Sequence, residues 1–214
     1  KLLQLSGIGP PALLQELGVP LVKALDGVGE NLRDHYSARM VARARNVRTI
    51  NQYARWPHLP FEFMKWLLGK PSVLGICPSV AYVHAKSHPD LDDADIRILF
   101  TPGSYAQGRT YILDDYPGMT CGAAQPRPQS SGYVRAASRD PLVAPIIQPN
   151  YLTDAADQRI TVTGMRLVRE LFNRPELSTY FDAETLPGPQ ATTDDELLDY
   201  ARRNGNTGYH LVGT

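Results

Sequence analysis

His210 lies in the stretch GYHLVGT, between Gly208 and Gly213 and directly after Tyr209. An imidazole takes or gives a proton near neutral pH, and glycines let the backbone approach closely, so His210 is a candidate general base. A strand-end histidine is the commoner meaning of the pattern, and spacing alone leaves both readings open. Other chemistry-bearing stretches carry less. GIGPPA at 7–12 formally fits G-x-G-x-x-A with Asp26 downstream, the arrangement in which glycines let a pyrophosphate reach a helix N-terminus. Only six residues precede it and two prolines fill its turn, so a structural helix start is the better reading. HPDLDDADI at 88–96 holds four aspartates and a histidine, but lacks the turn glycine and distant glutamate of a calcium loop and reads as a solvated loop. His58 and His84 have no companions at ligand spacing. No GxSxG, HExxH, CxxC or GxxxxGK[ST] occurs, which removes the usual signals of hydrolase, zinc and P-loop chemistry, and no metal is expected.

Composition narrows the class. The chain has 214 residues with 22 basic and 22 acidic side chains, so no clustered positive surface points to nucleic acid. A hydrophobic content of 43% suits a folded chain with a real core. The two cysteines, Cys77 and Cys121, are far apart, which favours a reducing compartment and a cytoplasmic location. No apolar run approaches the roughly 20 residues that span a bilayer, and from Lys1 onward no charged-then-apolar leader of a signal peptide is visible. Both ends read as cuts in a longer protein.

The elements that must position these groups follow from periodicity and punctuation. Residues 1–35 read as turn, helix, short extended segment and turn, with ALLQELG as a short helix stopped by Gly18. YSARMVARARNV suits a strand with one solvated face. LPFEFMKWLLGKP reads as a short helix buried in the core, with Phe61, Met64 and Leu68 on one face. SVAYVHA, DIRILFTP, GMTCGAA and GYVRAAS are strands, and APIIQPNYL is an extended run broken by prolines. A helix over about 154–173, capped by Asp154 or Thr153, carries a stripe of Ile160, Met165, Val168 and Phe172. A last helix has a Thr193–Glu196 capping box and stops at Gly205. Strands followed by helices imply an α+β fold, an antiparallel sheet with helices mainly on one face.

Three stretches in order then carry a resemblance. LLQLSGIGPPALLQELGVPLVKALDGVGENLRDH resembles the second signature of the glucose–methanol–choline (GMC) oxidoreductases, RPQSSGYVRAASRDPLVAPIIQPNYL resembles their middle segment, and TGYHLVGT resembles the start of their C-terminal active-site motif. The resemblance implies a choline-dehydrogenase-like fragment of an FAD-dependent enzyme. Residues 1–35 would belong to the FAD-binding domain, 36–205 to the substrate-binding domain, and 206–214 to the C-terminal active-site segment. By the same resemblance His210 matches the catalytic histidine, Asn31 and His35 of the NLxDH motif belong to the cofactor site, and Tyr209 lines the substrate pocket.

The implied reaction is oxidation of a primary alcohol. The hydroxyl proton goes to His210 and the hydride to FAD, which the fragment alone would not hold because the dinucleotide-binding part is missing. The partners expected are a small alcohol and an electron acceptor. Choline-specific relatives carry a glutamate shortly before an aromatic-Val or aromatic-Ile strand, whereas CPSVAYVHA has no acid at Pro78, Ser79 or Val80 and offers only the ring of Tyr82. An uncharged alcohol is therefore favoured over choline. The competing reading is a stand-alone module that binds a small molecule without redox chemistry.

Overall fold

A computed structural model describes residues 1–106 and 112–214. The chain begins with α1 (Leu2–Leu5), β1 (Ile8–Gly9), α2 (Pro11–Glu16), β2 (Lys23–Ala24) and β3 (Glu30–Leu32). Then come β4 (Tyr36–Ala44), α3 (Ile50–Tyr53), α4 (Leu59–Leu67), β5 (Ala81–Ala85), β6 (Ile96–Thr101) and β7 (Gly118–Ala124). They are followed by β8 (Gly132–Arg135), β9 (Ile146–Gln148), α5 (Ala155–Asn173), α6 (Pro175–Ser178), β10 (Phe181–Leu186), α7 (Asp194–Asn204) and β11 (Asn206–Thr207). Two compact units divide these elements. The first joins Lys1–Tyr36, Arg127–Gln158 and Thr207–Thr214, and the second joins Ser37–Pro126 and Arg159–Asn206.

In the first unit β3, β8 and β9 form an antiparallel sheet. Beside α1 the buried Gln4 amide satisfies three backbone groups, donating to Val28 O and Val134 O and accepting from Ala136 N at 2.7 Å. GIGPPA is a helix start, with Pro11 in the first turn of α2. Gly7 stands at φ +80°, and a Cβ there would lie 2.4 Å from Pro20 O, so glycine serves a close chain crossing at this point.

The second unit is an antiparallel sheet in the order β10-β4-β7-β6-β5. On β7 Met119, Cys121 and Ala123 alternate onto one face, opposite Ala42, Met40 and Ala38 of β4, and all six are buried. Helix α5 crosses this face. A Cβ on Gly164 would come 3.0 Å from the Ala123 Cβ and 3.4 Å from Ile96, so small residues on both sides bring helix and sheet together. Met165, Val168 and Phe172 of the expected stripe are buried, while Ile160 is half-buried. Arg169 clamps Glu184 through Nε at 2.9 Å and Nη2 at 2.8 Å, fastening α5 to β10. The α+β class and antiparallel sheet agree with the sequence reading.

The local expectations fare unevenly. Asp154, not Thr153, caps α5 by accepting from Ala156 N at 2.7 Å, and the Thr193–Glu196 capping box forms. GYVRAAS pairs in the first unit's sheet, apart from the other three strand candidates. Strand β4 has the expected solvated face: Ala38, Met40, Ala42 and Ala44 are buried on one side, while the other carries half-buried Ser37 and Arg39 and exposed Arg43, with only Val41 buried among them. The core assignment for α4 is overturned. Phe61, Met64 and Leu68 are 70%, 53% and 64% exposed, and Glu62 is the helix's buried residue. The cause is a polar stripe at helical spacing. Glu62 turns inward with His58 and Lys65 half-buried beside it, and its carboxylate accepts from Val73 N at 3.0 Å and pairs with Lys65.

Candidate active site

Around His210 the geometry begins with strand alternation. From Asn31 to Asp34 the chain shows Asn31 and Arg33 to solvent and buries Leu32 and Asp34. The C-terminal segment lies antiparallel to it, with Arg33 N donating to Val212 O and Val212 N to Arg33 O, each at 2.9 Å. Two residues further along each chain in that register, His35 stands opposite His210. Gly213, at φ +99°, permits the approach, since a Cβ there would lie 2.1 Å from Asn31 O.

The two rings meet through Nδ1, 2.9 Å apart and nearly perpendicular at 82°. A nitrogen–nitrogen hydrogen bond needs a donor on one side and a lone pair on the other, so the two imidazoles cannot both carry a proton at Nδ1. In one arrangement His210 Nδ1–H donates to His35, which leaves the His210 Nε2 lone pair able to accept a proton. In the reverse arrangement the neutral His210 carries its proton on Nε2 and can only donate there.

Asp34 holds the turn that carries His210. Its Oδ1 accepts from His210 N at 2.9 Å, and its Oδ2 accepts from Tyr151 OH at 2.6 Å and from the Thr207 hydroxyl. Thr207 Oγ1 also accepts from Tyr209 N at 2.9 Å, closing a turn in which Tyr209 takes φ 58°, an uncommon value for a bulky residue. Burial opposes charge on Asp34, but bonds from Thr207, Tyr151 and the amides of His210 and His35 outweigh it and hold the carboxyl below its usual range. Burial, and then the Asp34 carboxylate, push the Tyr151 phenol up to about 12. Tyr36 stacks on Tyr151 with ring centroids 4.5 Å apart.

The residues singled out from sequence fall into separate places. His210 and His35 are brought together, with Tyr209 beside them and 78% exposed. The Asn31 side chain is exposed and its carbonyl abuts Gly213. Tyr82 belongs to the other unit, in a cross-strand row with Leu99, Gly122 and Arg39. That row faces away from the Met119–Cys121–Ala123 side of the sheet. The next row on the same face holds His84, Arg97, Ala124 and Ser37. His58 contacts Tyr53 edge-on at 6.0 Å, and Asp95 of the acidic loop accepts from Ser87 N at 2.7 Å. Asp34, Tyr151 and Thr207 were not anticipated as site residues, although Asp34 lies inside the NLxDH motif, where alternation with Leu32 marks it as an inward carboxylate.

A carboxamide and an imidazole at Asn31 and His35 can meet the donors and acceptors on the edge of a heteroaromatic ring. GIGPPA does not read as a pyrophosphate cradle, because Gly7 serves a close crossing with Pro20 and Pro11 opens the short helix α2. Asn31 and His35 are the groups here that would meet the ring end of a flavin.

Residues 128–214 match the family model described as GMC oxidoreductase. Over 100% of its length the chain is 31% identical to alcohol dehydrogenase [acceptor] of Pseudomonas putida, covering 39% of that protein. It is 29% identical to oxygen-dependent choline dehydrogenase of Klebsiella pneumoniae, again over 100% of this chain and 38% of the relative. The chain thus spans about two fifths of the length of these curated relatives. Formate oxidase shares the fold with a TM-score of 0.85 at 19% identity, over 100% of this chain and 42% of that one. Pyridoxine 4-oxidase from Mesorbium loti does so with a TM-score of 0.78 at 22% identity, over 100% and 38%.

Proposed function

The chain belongs to the GMC oxidoreductase family, and we propose that it is the part of an FAD-dependent alcohol dehydrogenase that carries the catalytic base, His210. The observation that carries this reading is the His35–His210 pair. With the shared proton on His210 Nδ1, its Nε2 accepts the hydroxyl proton of a primary alcohol. His210 then becomes an imidazolium whose Nδ1–H still points at the His35 lone pair, in a hydrogen bond strengthened by the new charge. His35 keeps its Nε2–H, and it and Asn31 are the residues that would hold the ring end of FAD. When bound, FAD supplies the hydride acceptor that no side chain provides. Tyr209 borders the alcohol side. The 214-residue chain alone holds no FAD tightly, and a yellow purified chain would contradict that.

For the substrate, the reading is an uncharged alcohol. Strands β4 to β7 contain no Asp or Glu, and the sheet face that carries Tyr82 also carries Arg39 and Arg97. One ring at Tyr82 would return only about 0.5–2 kcal/mol of cation–π attraction.

The test is His210→Ala in the full-length enzyme. Flavin reduction followed by stopped flow should slow by about 10²- to 10⁴-fold, the range for losing a positioned base, with FAD still bound. Reduction at the wild-type rate would remove the assignment.

A further inference from the structure

We propose that Asp34 is the positioning residue for His210: a buried carboxylate that fixes the turn of the base and favours the proton it takes up. This inference rests on the reading of His210 as the base. Asp34 is 4% exposed. Its two oxygens collect three donors from two distant segments: the amide of His210 and the hydroxyl of Thr207 from the C-terminal segment, and the phenol of Tyr151.

The contacts bracket the base. Thr207 is held three residues before His210 and its hydroxyl in turn holds Tyr209 N, so the backbone from 207 to 210 is tied at both ends to one side chain. Tyr209 at φ 58° has no glycine's freedom, and these bonds hold it there. Tyr151 is presented by a segment in which its neighbours Asn150 and Leu152 both stand at φ 55°, with Asn150 Nδ2 bonded to Ser131 O at 3.0 Å.

Charge is part of the function. An ionised carboxylate only accepts hydrogen bonds, which matches a site where donors converge; an Asn would turn an NH₂ group toward one of them. The negative charge sits between His35 in sequence and His210 in space, so it favours the protonated form of the pair as His210 takes the alcohol's proton. The groups facing it are His35, His210, Thr207 and Tyr151, with Tyr36 stacked behind Tyr151. The neighbouring Arg33 directs its guanidinium to Pro128 O at 3.0 Å.

The experiment uses the full-length flavoenzyme with Asp34→Asn, His210→Ala and the double variant. Asp34→Asn is expected to keep the bound-flavin spectrum and to slow flavin reduction by about 10- to 100-fold, the scale of a small misplacement of a reacting group. The acid limb of its pH–rate profile should move to lower pH, because imidazolium is less favoured without the charge. In the His210→Ala background the same change should add little, since both act through one group. An unchanged rate and acid limb in Asp34→Asn, with His210→Ala slow, would overturn the proposal and leave the base assignment standing. Equal losses in both backgrounds would also overturn it, by making Asp34 a general structural residue. A His210→Ala variant at full speed would overturn the base assignment, and this inference with it. If Asp34→Asn does not fold, Tyr151→Phe and Thr207→Val each remove one donor; a slower reduction in either supports the proposal, and wild-type rates in both overturn it.

Discussion

His35 and His210 stand 175 residues apart in sequence and share one hydrogen bond, Nδ1 to Nδ1, at 2.9 Å. The antiparallel bridge between Arg33 and Val212 sets the register that makes them opposite. The tautomer of each neutral ring is therefore tied to that of the other.

His35→Gln tests that dependence in the full-length enzyme. A hydrogen bond to a charged group contributes about 1.5–3 kcal/mol, and losing it where the imidazolium forms should slow flavin reduction by about 10- to 100-fold. His35→Gln in the His210→Ala background should cost much less, and stopped-flow reduction of the four proteins completes the cycle.

Asp34 also makes stability depend on pH. Its folded carboxyl lies below its ordinary range, while an unfolded Asp titrates near about 3.9. The contribution is therefore complete above the unfolded value and is lost as pH falls through the folded one. Urea unfolding of the chain from pH 7 to pH 2.5 should show a decline below about pH 4 that is shallower in Asp34→Asn. Parallel curves for the two proteins would contradict the assignment.

Gly164 reports the packing of α5 on the sheet. A helix interior favours Ala over Gly by about 1 kcal/mol, yet a Cβ here meets Ala123 at 3.0 Å. Gly164→Val should overfill the contact and destabilise by about 1–3 kcal/mol. The expected reading is a lower thermal midpoint with the circular dichroism spectrum retained, and an unchanged midpoint would mean the helix can shift at no cost.

For substrate choice, the full-length enzyme should have a higher kcat/KM for 3,3-dimethylbutan-1-ol, choline's uncharged isostere, than for choline. The basis is the lack of an acid at Pro78, Ser79 and Val80 and in β4 to β7, which leaves the ring of Tyr82 as the group that stretch offers a cation. Both substrates assayed with one artificial acceptor decide it, and a choline preference above about a hundredfold would place a carboxylate in the pocket, worth more than one ring can supply.

By itself the sequence determined what is local. The caps of α5 and α7, the glycine stop after α2, most strands and the α+β class follow from short-range periodicity and hydrogen-bonding chemistry, which need only near neighbours. The same string made His210 a candidate and set His35 in a recognisable motif. Only the tertiary structure decided that the two rings touch, that Asp34 faces inward beneath the turn of His210, and that Tyr151 closes on it. It also decided that Phe61 and Met64 face outward while Glu62 turns in. The physical reason is that a strand's register with a distant partner, and the side of a helix that finds polar partners, depend on chain segments far away in sequence. Strand alternation at Leu32 and Asp34 could mark a carboxylate as buried, but the donors that make its burial tolerable come from residues 151, 207 and 210, which only folding brings together.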